Sequence, residues 1–211
     1  MTERRLKETI ATYNAVASDY EQRTNHLAPT EELPRFTRLL AAGAKVLDAG
    51  CGYGRELRHF VDQGFITYGI DLSEGMLARA RQRTPEASIL KMDVRKLGFQ
   101  EDFLDGVWCR GVLHHLERNQ IQKTLIGIKR ILKSDGILLV ICQSGTGEAK
   151  VEEELTCGKP RFFTYFSGSE LATLVADSGF ALVEGYTYNE KERYGTGRAN
   201  LNFIVVLARK P

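Results

Sequence analysis

Apolar positions along this chain follow two periods in turn. Leu6, Ile10, Tyr13, Ala17 and Tyr20 recur at helical spacing and predict an amphipathic helix near the N-terminus. Leu33, Phe36 and Leu40 predict a second, short helix over Glu31–Leu40. The pattern then changes to short, nearly continuous apolar runs separated by helix-length stretches: Lys45–Asp48, Tyr68–Ile70, Ile89–Met92, Phe103–Cys109 and Ile137–Cys142. Runs of this kind are strands buried on both faces, as in a parallel sheet. Between them lie a segment over Arg55–Gln63, a helix capped by Ser73 and ended by Thr84-Pro85, and the stripe Ile121, Leu125, Ile128 and Leu132. A further helix from Ser169 stops at Ser178-Gly179, where the glycine suits a left-handed terminus. Phe180–Thr187 and Leu201–Ala208 complete the strands. The order predicts an α/β doubly wound fold with helices on both faces of the sheet.

Two polar segments stand outside this framework, Gln143–Tyr165 and Tyr188–Asn200. Long loops in a compact domain are often binding loops, so both are expected on the substrate side. The plainer alternative is a solvated insertion.

The chemistry concentrates at the carboxyl ends of the first strands. Val46-Leu47-Asp48-Ala49-Gly50-Cys51-Gly52-Tyr53-Gly54 is a buried strand running into a glycine-rich turn and then a helix. Glycines let a backbone approach a ligand closely, and the next helix N-terminus offers free N–H groups. Two more acids, Asp71 and Asp93, end the next two strands at intervals of about 20 residues, where an acid meets ribose hydroxyls in nucleotide-binding sheets. The turn is not the G-x-G-x-x-G of dinucleotide enzymes, and Asp48 just before it would repel a pyrophosphate. A phosphate-free, nucleoside-like cofactor such as S-adenosylmethionine fits better.

With these residues the chain resembles the class I S-adenosylmethionine-dependent methyltransferases, in the small "methyltransferase domain" group (types 11 and 25). The resemblance is carried by Val46–Gly54, Tyr68–Ser73, Met92-Asp93-Val94, Asp105–His115 and Arg130–Val140, and spans roughly residues 10 to 209. Ser134-Asp135 stands where the group usually has Pro-Gly. The resemblance implies a Rossmann-like seven-stranded sheet of order 3-2-1-4-5-7-6, its last strand antiparallel. It also implies one domain over residues 1–211, with a helical cap over 1–42.

The cofactor residues that the resemblance implies are Tyr13, Tyr20, Asp48, Gly50, Cys51, Gly52, Asp71, Leu72, Met76, Asp93, Val94, Cys109 and Arg110. Asp71 would hold the ribose hydroxyls, Asp93 the adenine amino group, and Asp48 the turn or the methionyl ammonium. Arg55 or Arg23 would meet the methionyl carboxylate. The acceptor side would use Gln143, Arg161, Phe162 and Tyr165. Methyl transfer leaves a thioether that needs no proton, so catalysis is mostly orientation and exclusion of water, with a base for some acceptors. The base candidates are His114 and His115, whose imidazoles titrate near neutral pH, although one ring could serve only as structure.

Composition adds exclusions. The 211 residues carry a net charge of +2, which argues against a polyanionic partner. Cys51, Cys109, Cys142 and Cys157 form no C-x-x-C pair and are expected as reduced thiols, and no cluster has metal-ligand spacing. The charged N-terminus and the absence of a long apolar run predict a cytoplasmic protein without a membrane span, and monomer and homodimer both stay open. The leading expectation is an enzyme that methylates an oxygen or nitrogen of a small molecule and releases S-adenosylhomocysteine. The alternatives are a tRNA wobble-base methyltransferase, suggested by Arg161–Phe166 before Ser169-Glu170-Leu171, and a non-catalytic cofactor-binding protein.

Overall fold

The computed structural model describes residues 2–195 and 200–211. Its centre is a seven-stranded sheet. The strands are β1 (Lys45–Ala49), β2 (Ile66–Asp71), β3 (Ser88–Lys91), β4 (Leu104–Arg110), β5 (Leu132–Gln143), β8 (Ala181–Asn189) and β9 (Asn202–Arg209), in spatial order β3-β2-β1-β4-β5-β9-β8. β1 pairs in parallel with β2 and β4, while β9 runs antiparallel between β5 and β8. Counted along this sheet alone, that is the expected 3-2-1-4-5-7-6. The last two strands rank eighth and ninth in the chain because a separate antiparallel hairpin, β6 (Glu148–Glu152) and β7 (Pro160–Thr164), precedes them.

The central strands are apolar on both faces because both faces are covered. One side buries Leu47, Val107, Leu138 and Val206 under α5 (Arg118–Ile131) and α6 (Gly168–Asp177), and the other packs Val46, Trp108, Leu139 and Leu207 against Phe36 and Phe60. The expected stripe ends one residue early: Ile131 closes α5 and Leu132 already belongs to β5. The helix over Glu31–Leu40 is shorter than expected, α2 spanning Glu32–Thr37.

Local chemistry sets the helix ends. Ser73 Oγ accepts from the Met76 N–H at the start of α4 (Glu74–Arg83), and Ser167 forms a reciprocal capping box with Glu170 on α6. Gly179 takes φ 87° just past α6, as its position predicts. Asp135, in the place of the usual glycine, adopts φ 62°, a conformation that aspartate tolerates better than most residues.

The segment Gln143–Tyr165 is not a loop. Its hairpin packs on α1 (Thr2–Thr24): Thr12 Oγ1 donates to the Pro160 carbonyl at 2.6 Å and the Phe162 N–H donates to Thr9 Oγ1 at 3.0 Å. Tyr188–Asn200 begins as the end of β8 and a short helix, α7 (Glu190–Tyr194); residues 196–199 of that expectation lie outside the described residues. Arg193 ties α7 to α2 through the buried carboxylate of Glu32, at 2.6 Å.

Candidate active site

A cavity of about 210 Å³ opens at the carboxyl edge of β1, β2 and β4 and runs beneath α1 and the hairpin. One half is built by the glycine turn between β1 and α3 (Arg55–Asp62). Gly50 takes φ 81°, and a Cβ there would meet Val112 Cβ at 2.7 Å, so only glycine fits. Gly52 takes φ 52° with open space where a Cβ would lie. Its N–H donates to Asp71 Oδ2 at 3.0 Å, while the Ser73 N–H donates to Oδ1 at 2.8 Å. Burial raises the Asp71 pKa, although these backbone donors pull the other way. Asp48 is 2% exposed, and its Oδ2 has no hydrogen-bond partner. Burial, followed by the charge of Glu56, raises its pKa well above the carboxylate range. Arg55 and Arg110 both reach Glu56 Oε1, at 2.6 and 3.2 Å.

This half fits S-adenosylmethionine. An ammonium beside Asp48 would supply the partner its Oδ2 lacks, and hydroxyls opposite Asp71 would meet lone pairs that the two backbone donors leave open.

The other half is a hydrogen-bonded chain drawn from three distant segments. Arg161 Nη1 donates to Tyr13 Oη at 2.8 Å, and Tyr13 Oη lies 2.9 Å from His115 Nε2. His115 Nδ1 lies 2.6 Å from the Phe162 carbonyl. A carbonyl only accepts, so Nδ1 carries the hydrogen and Nε2 receives the Tyr13 hydroxyl. Burial, reinforced by Arg161, pushes the His115 pKa down to about 3. His114 Nδ1 accepts from the Gln143 N–H at 3.2 Å, and burial holds this ring well below its usual range as well. Burial raises the Tyr13 hydroxyl, with Arg161 opposing. Phe163 packs on both histidines, its ring centre 4.9 Å from His114 and 4.7 Å from His115.

Of the residues expected here, Tyr13, Tyr20, Asp48, Gly50, Cys51, Gly52, Asp71, Leu72, Met76, Val94, Arg110, His114, His115, Gln143 and Arg161 line the cavity. Four do not. Asp93 turns to Arg95, which donates to both its oxygens; burial works against ionisation, but Arg95 lowers the pKa overall. Cys109 is fully buried inside β4. Phe162 faces Arg5, whose guanidinium lies 4.8 Å from the ring centre, and Tyr165 stacks on the outer side of Phe163. The hairpin alternates faces, so Arg161 and Phe163 point inward and Phe162 outward. Strand periodicity over Arg161–Thr164 would have shown this had the segment been read as a strand. Arg55 lines the cavity but spends its guanidinium on Glu56 and the Thr24 carbonyl, while Arg23 reaches Glu154 outside it. Sequence reasoning also missed Glu56 and Glu153, single acids without a motif.

Among the described residues no group of three or more His, Cys, Asp or Glu could hold a metal ion, and no helix is long and apolar enough to cross a membrane.

Residues 47–140 match the family described as "Methyltransferase domain". The "Putative methyltransferase YqeM" of Bacillus subtilis is 30% identical over 188 residues, covering 84% of this chain and 76% of its own length. A tRNA (carboxymethyluridine(34)-5-O)-methyltransferase of Arabidopsis thaliana is 30% identical over 129 residues, 61% of this chain and 30% of that protein. This chain likewise spans only 52% and 56% of two further curated relatives. Among solved structures, the 1,6-didemethyltoxoflavin-N1-methyltransferase of Burkholderia thailandensis, with 1,6-didemethyltoxoflavin and S-adenosylhomocysteine bound, superposes with TM-score 0.72. At 23% identity it covers 95% of this chain and 87% of its own. That likeness shows the fold.

Proposed function

Because this chain belongs to the class I S-adenosylmethionine-dependent methyltransferases, we propose that it methylates an oxygen or nitrogen of a small-molecule acceptor. The observation that carries this reading is the continuity of the cavity. The same cavity is lined by Gly50, Gly52 and Asp71 and, under the hairpin, by Arg161, Phe163 and Gln143. A donor against the glycine turn and an acceptor under the hairpin would meet without water between them.

The cofactor supplies an electrophilic methyl group on a sulfonium. The protein's part is to bind and orient. Asp71 would accept from ribose hydroxyls, and Asp48 would face the ammonium. Met92 and Val94, rather than the clamped Asp93 carboxylate, would border the adenine. Tyr13 and Tyr20, in edge-to-face contact at 5.4 Å, would close α1 over the cofactor. His115, with one nitrogen given to Phe162 and the other to Tyr13, would position the roof rather than take a proton.

A second reading, methylation of a tRNA base, draws support from the Arabidopsis relative. The test serves both. Methyl-labelled S-adenosylmethionine is incubated with the protein and a cell extract, which is then divided into small-molecule, RNA and protein fractions, with Asp71→Ala as control. Label in small molecules is the expected result. Label in RNA alone transfers the assignment to the second reading.

A further inference from the structure

The acceptor half of the cavity holds a cation that methyl transfer as such does not require. Arg161 stands in β7 with 4% exposure. Nη1 donates to Tyr13 and Nη2 donates to Glu153 Oε2 at 2.6 Å, but the buried Nε has no partner. A buried guanidinium is stable only when paired, and each N–H left unmatched adds to its burden. Its partner Glu153 lies just past β6, lines the same cavity, and is 23% exposed at its side chain. The Glu153 carboxylate thus occupies one side of a planar donor fork that takes two oxygens when fully used.

Among the described residues, the two histidines and Glu153 on this side of the cavity are already engaged. The lone-pair nitrogen of His115 is filled by the Tyr13 hydroxyl. The lone-pair nitrogen of His114 is filled by the Gln143 N–H, so its other nitrogen bears hydrogen. Glu153 is committed to Arg161. A site of this kind suits a nucleophile that arrives already deprotonated and negatively charged.

We propose that the acceptor is a carboxylate bound by Arg161, and that the product is its methyl ester. Glu153 is an internal stand-in that the acceptor displaces from the Nε–Nη2 edge. This inference rests on the small-molecule methyl-transfer reading above. The balance is simple: a carboxylate lone pair forms the new O–CH3 bond as the methyl–sulfur bond breaks with its electron pair going to sulfur. One negative and one positive charge become a neutral ester and a neutral thioether, and no proton moves.

Methyl esters separate this proposal from other methylations, because mild alkali releases their methyl group as volatile methanol while ethers and N-methyl groups survive. The full chain is incubated with methyl-tritiated S-adenosylmethionine and a deproteinised small-molecule extract, or with total RNA. Unreacted donor is removed, and the products are treated with alkali. Most of the small-molecule label should become volatile. Arg161→Gln should lower that transfer more than tenfold while S-adenosylhomocysteine affinity, measured by titration, stays within twofold. Should Arg161→Gln misfold, Glu153→Gln decides: removing the stand-in should lower the acceptor KM several-fold, and a loss of transfer would overturn the proposal. Alkali-stable label overturns the carboxylate assignment and leaves small-molecule methyl transfer standing. Alkali-labile label confined to RNA upholds the carboxylate and overturns the small-molecule reading. No label above the Asp71→Ala control overturns both.

Discussion

The two halves of the cavity are made in opposite ways. The half proposed for the cofactor comes from neighbours in sequence: Asp48, Gly50 and Gly52 lie on one turn, and Asp71 ends the adjacent strand. The half proposed for the acceptor is assembled from Tyr13, His115 and Arg161, held together by hydrogen bonds that span more than 100 residues of chain. Their electrostatics differ in the same sense. Burial raises the acids of the first half, Asp48 and Asp71, and depresses the imidazoles of the second. The first half is therefore primed for positive and hydroxyl-bearing groups. In the second, the two imidazoles stay neutral beside the ion pair of Arg161 with Glu153.

The comparison breaks most sharply at Asp71. Asp71→Ala should weaken S-adenosylmethionine binding on the order of 100-fold, since hydrogen bonds to a charged group are each worth about 1.5–3 kcal/mol. Calorimetric titration measures this, with circular dichroism to show that the fold persists. Unchanged affinity would remove the cofactor half from its assigned role.

Acid titration sharpens the comparison next. His115 has a folded pKa of about 3 against 6.5 unfolded, so the unfolded chain binds its proton first as pH falls. Its contribution is intact above pH 6.5 and is lost between there and about 3, at up to ~1.4 kcal/mol per pH unit. The raised carboxylates act oppositely: their contribution is present below the unfolded value of 3.8 and is lost as pH rises through their folded pKa. The parent and His115→Gln share those acids, so their difference reports the His115 imidazole together with its effect on the neighbouring His114. Glutamine can still donate to the Phe162 carbonyl and accept from Tyr13 but cannot titrate. The parent's melting temperature should fall faster than the variant's from pH 7 to 4.5; parallel curves would mean that His115 is accessible to protons in the folded state.

The same division explains what was legible in the sequence. The strands and the glycine turn follow from local rules, because a buried parallel strand needs an apolar run and a left-handed turn needs glycine, whereas the strand order came only with the family resemblance. The place of Asp71 at a strand end beside that turn was readable for the same reason. The hairpin was not: β6 alternates exposed Glu148, Lys150 and Glu152 with half-buried Ala149 and Val151, and the hairpin packs on α1, far away in sequence. Reading it as a loop put Phe162 and Tyr165 into the site in place of Phe163, and hid Glu153 altogether. Asp93 was misjudged differently. Its strand-end position was right, but Arg95, two residues on, claims its oxygens.

Tyr13 stands on the border between the halves. Tyr13→Phe keeps the ring over the cofactor and removes the hydroxyl that joins Arg161 to His115. Transfer to the acceptor should drop about tenfold, the effect of one hydrogen bond near 1.4 kcal/mol, with cofactor affinity within about twofold. Equal losses in both would place the hydroxyl with the cofactor instead, and the two halves would not be separable at this residue.

The smallest effect tests whether α1 serves the halves independently. On one side Thr12 Oγ1 holds the hairpin through the Pro160 carbonyl at 2.6 Å. On another, Asn14 Oδ1 accepts from Ser73 Oγ at 2.8 Å and from the Gly75 N–H at 3.0 Å, fastening α1 to the start of α4 on the cofactor side. Thr12→Val and Asn14→Ala each remove side-chain hydrogen bonds worth about 0.5–1.5 kcal/mol apiece, and each should lower the melting temperature by about 2–4 °C per kcal/mol lost. Their functional consequences should diverge. Thr12→Val loosens the hairpin and should raise the acceptor KM while leaving cofactor affinity alone. Asn14→Ala frees the Ser73 hydroxyl and the first turn of α4, beside Leu72 and Met76, and should weaken the cofactor about twofold to fivefold with little change in acceptor KM. If both variants shift both constants together, α1 moves as one rigid roof, and the halves are coupled through it rather than merely adjacent.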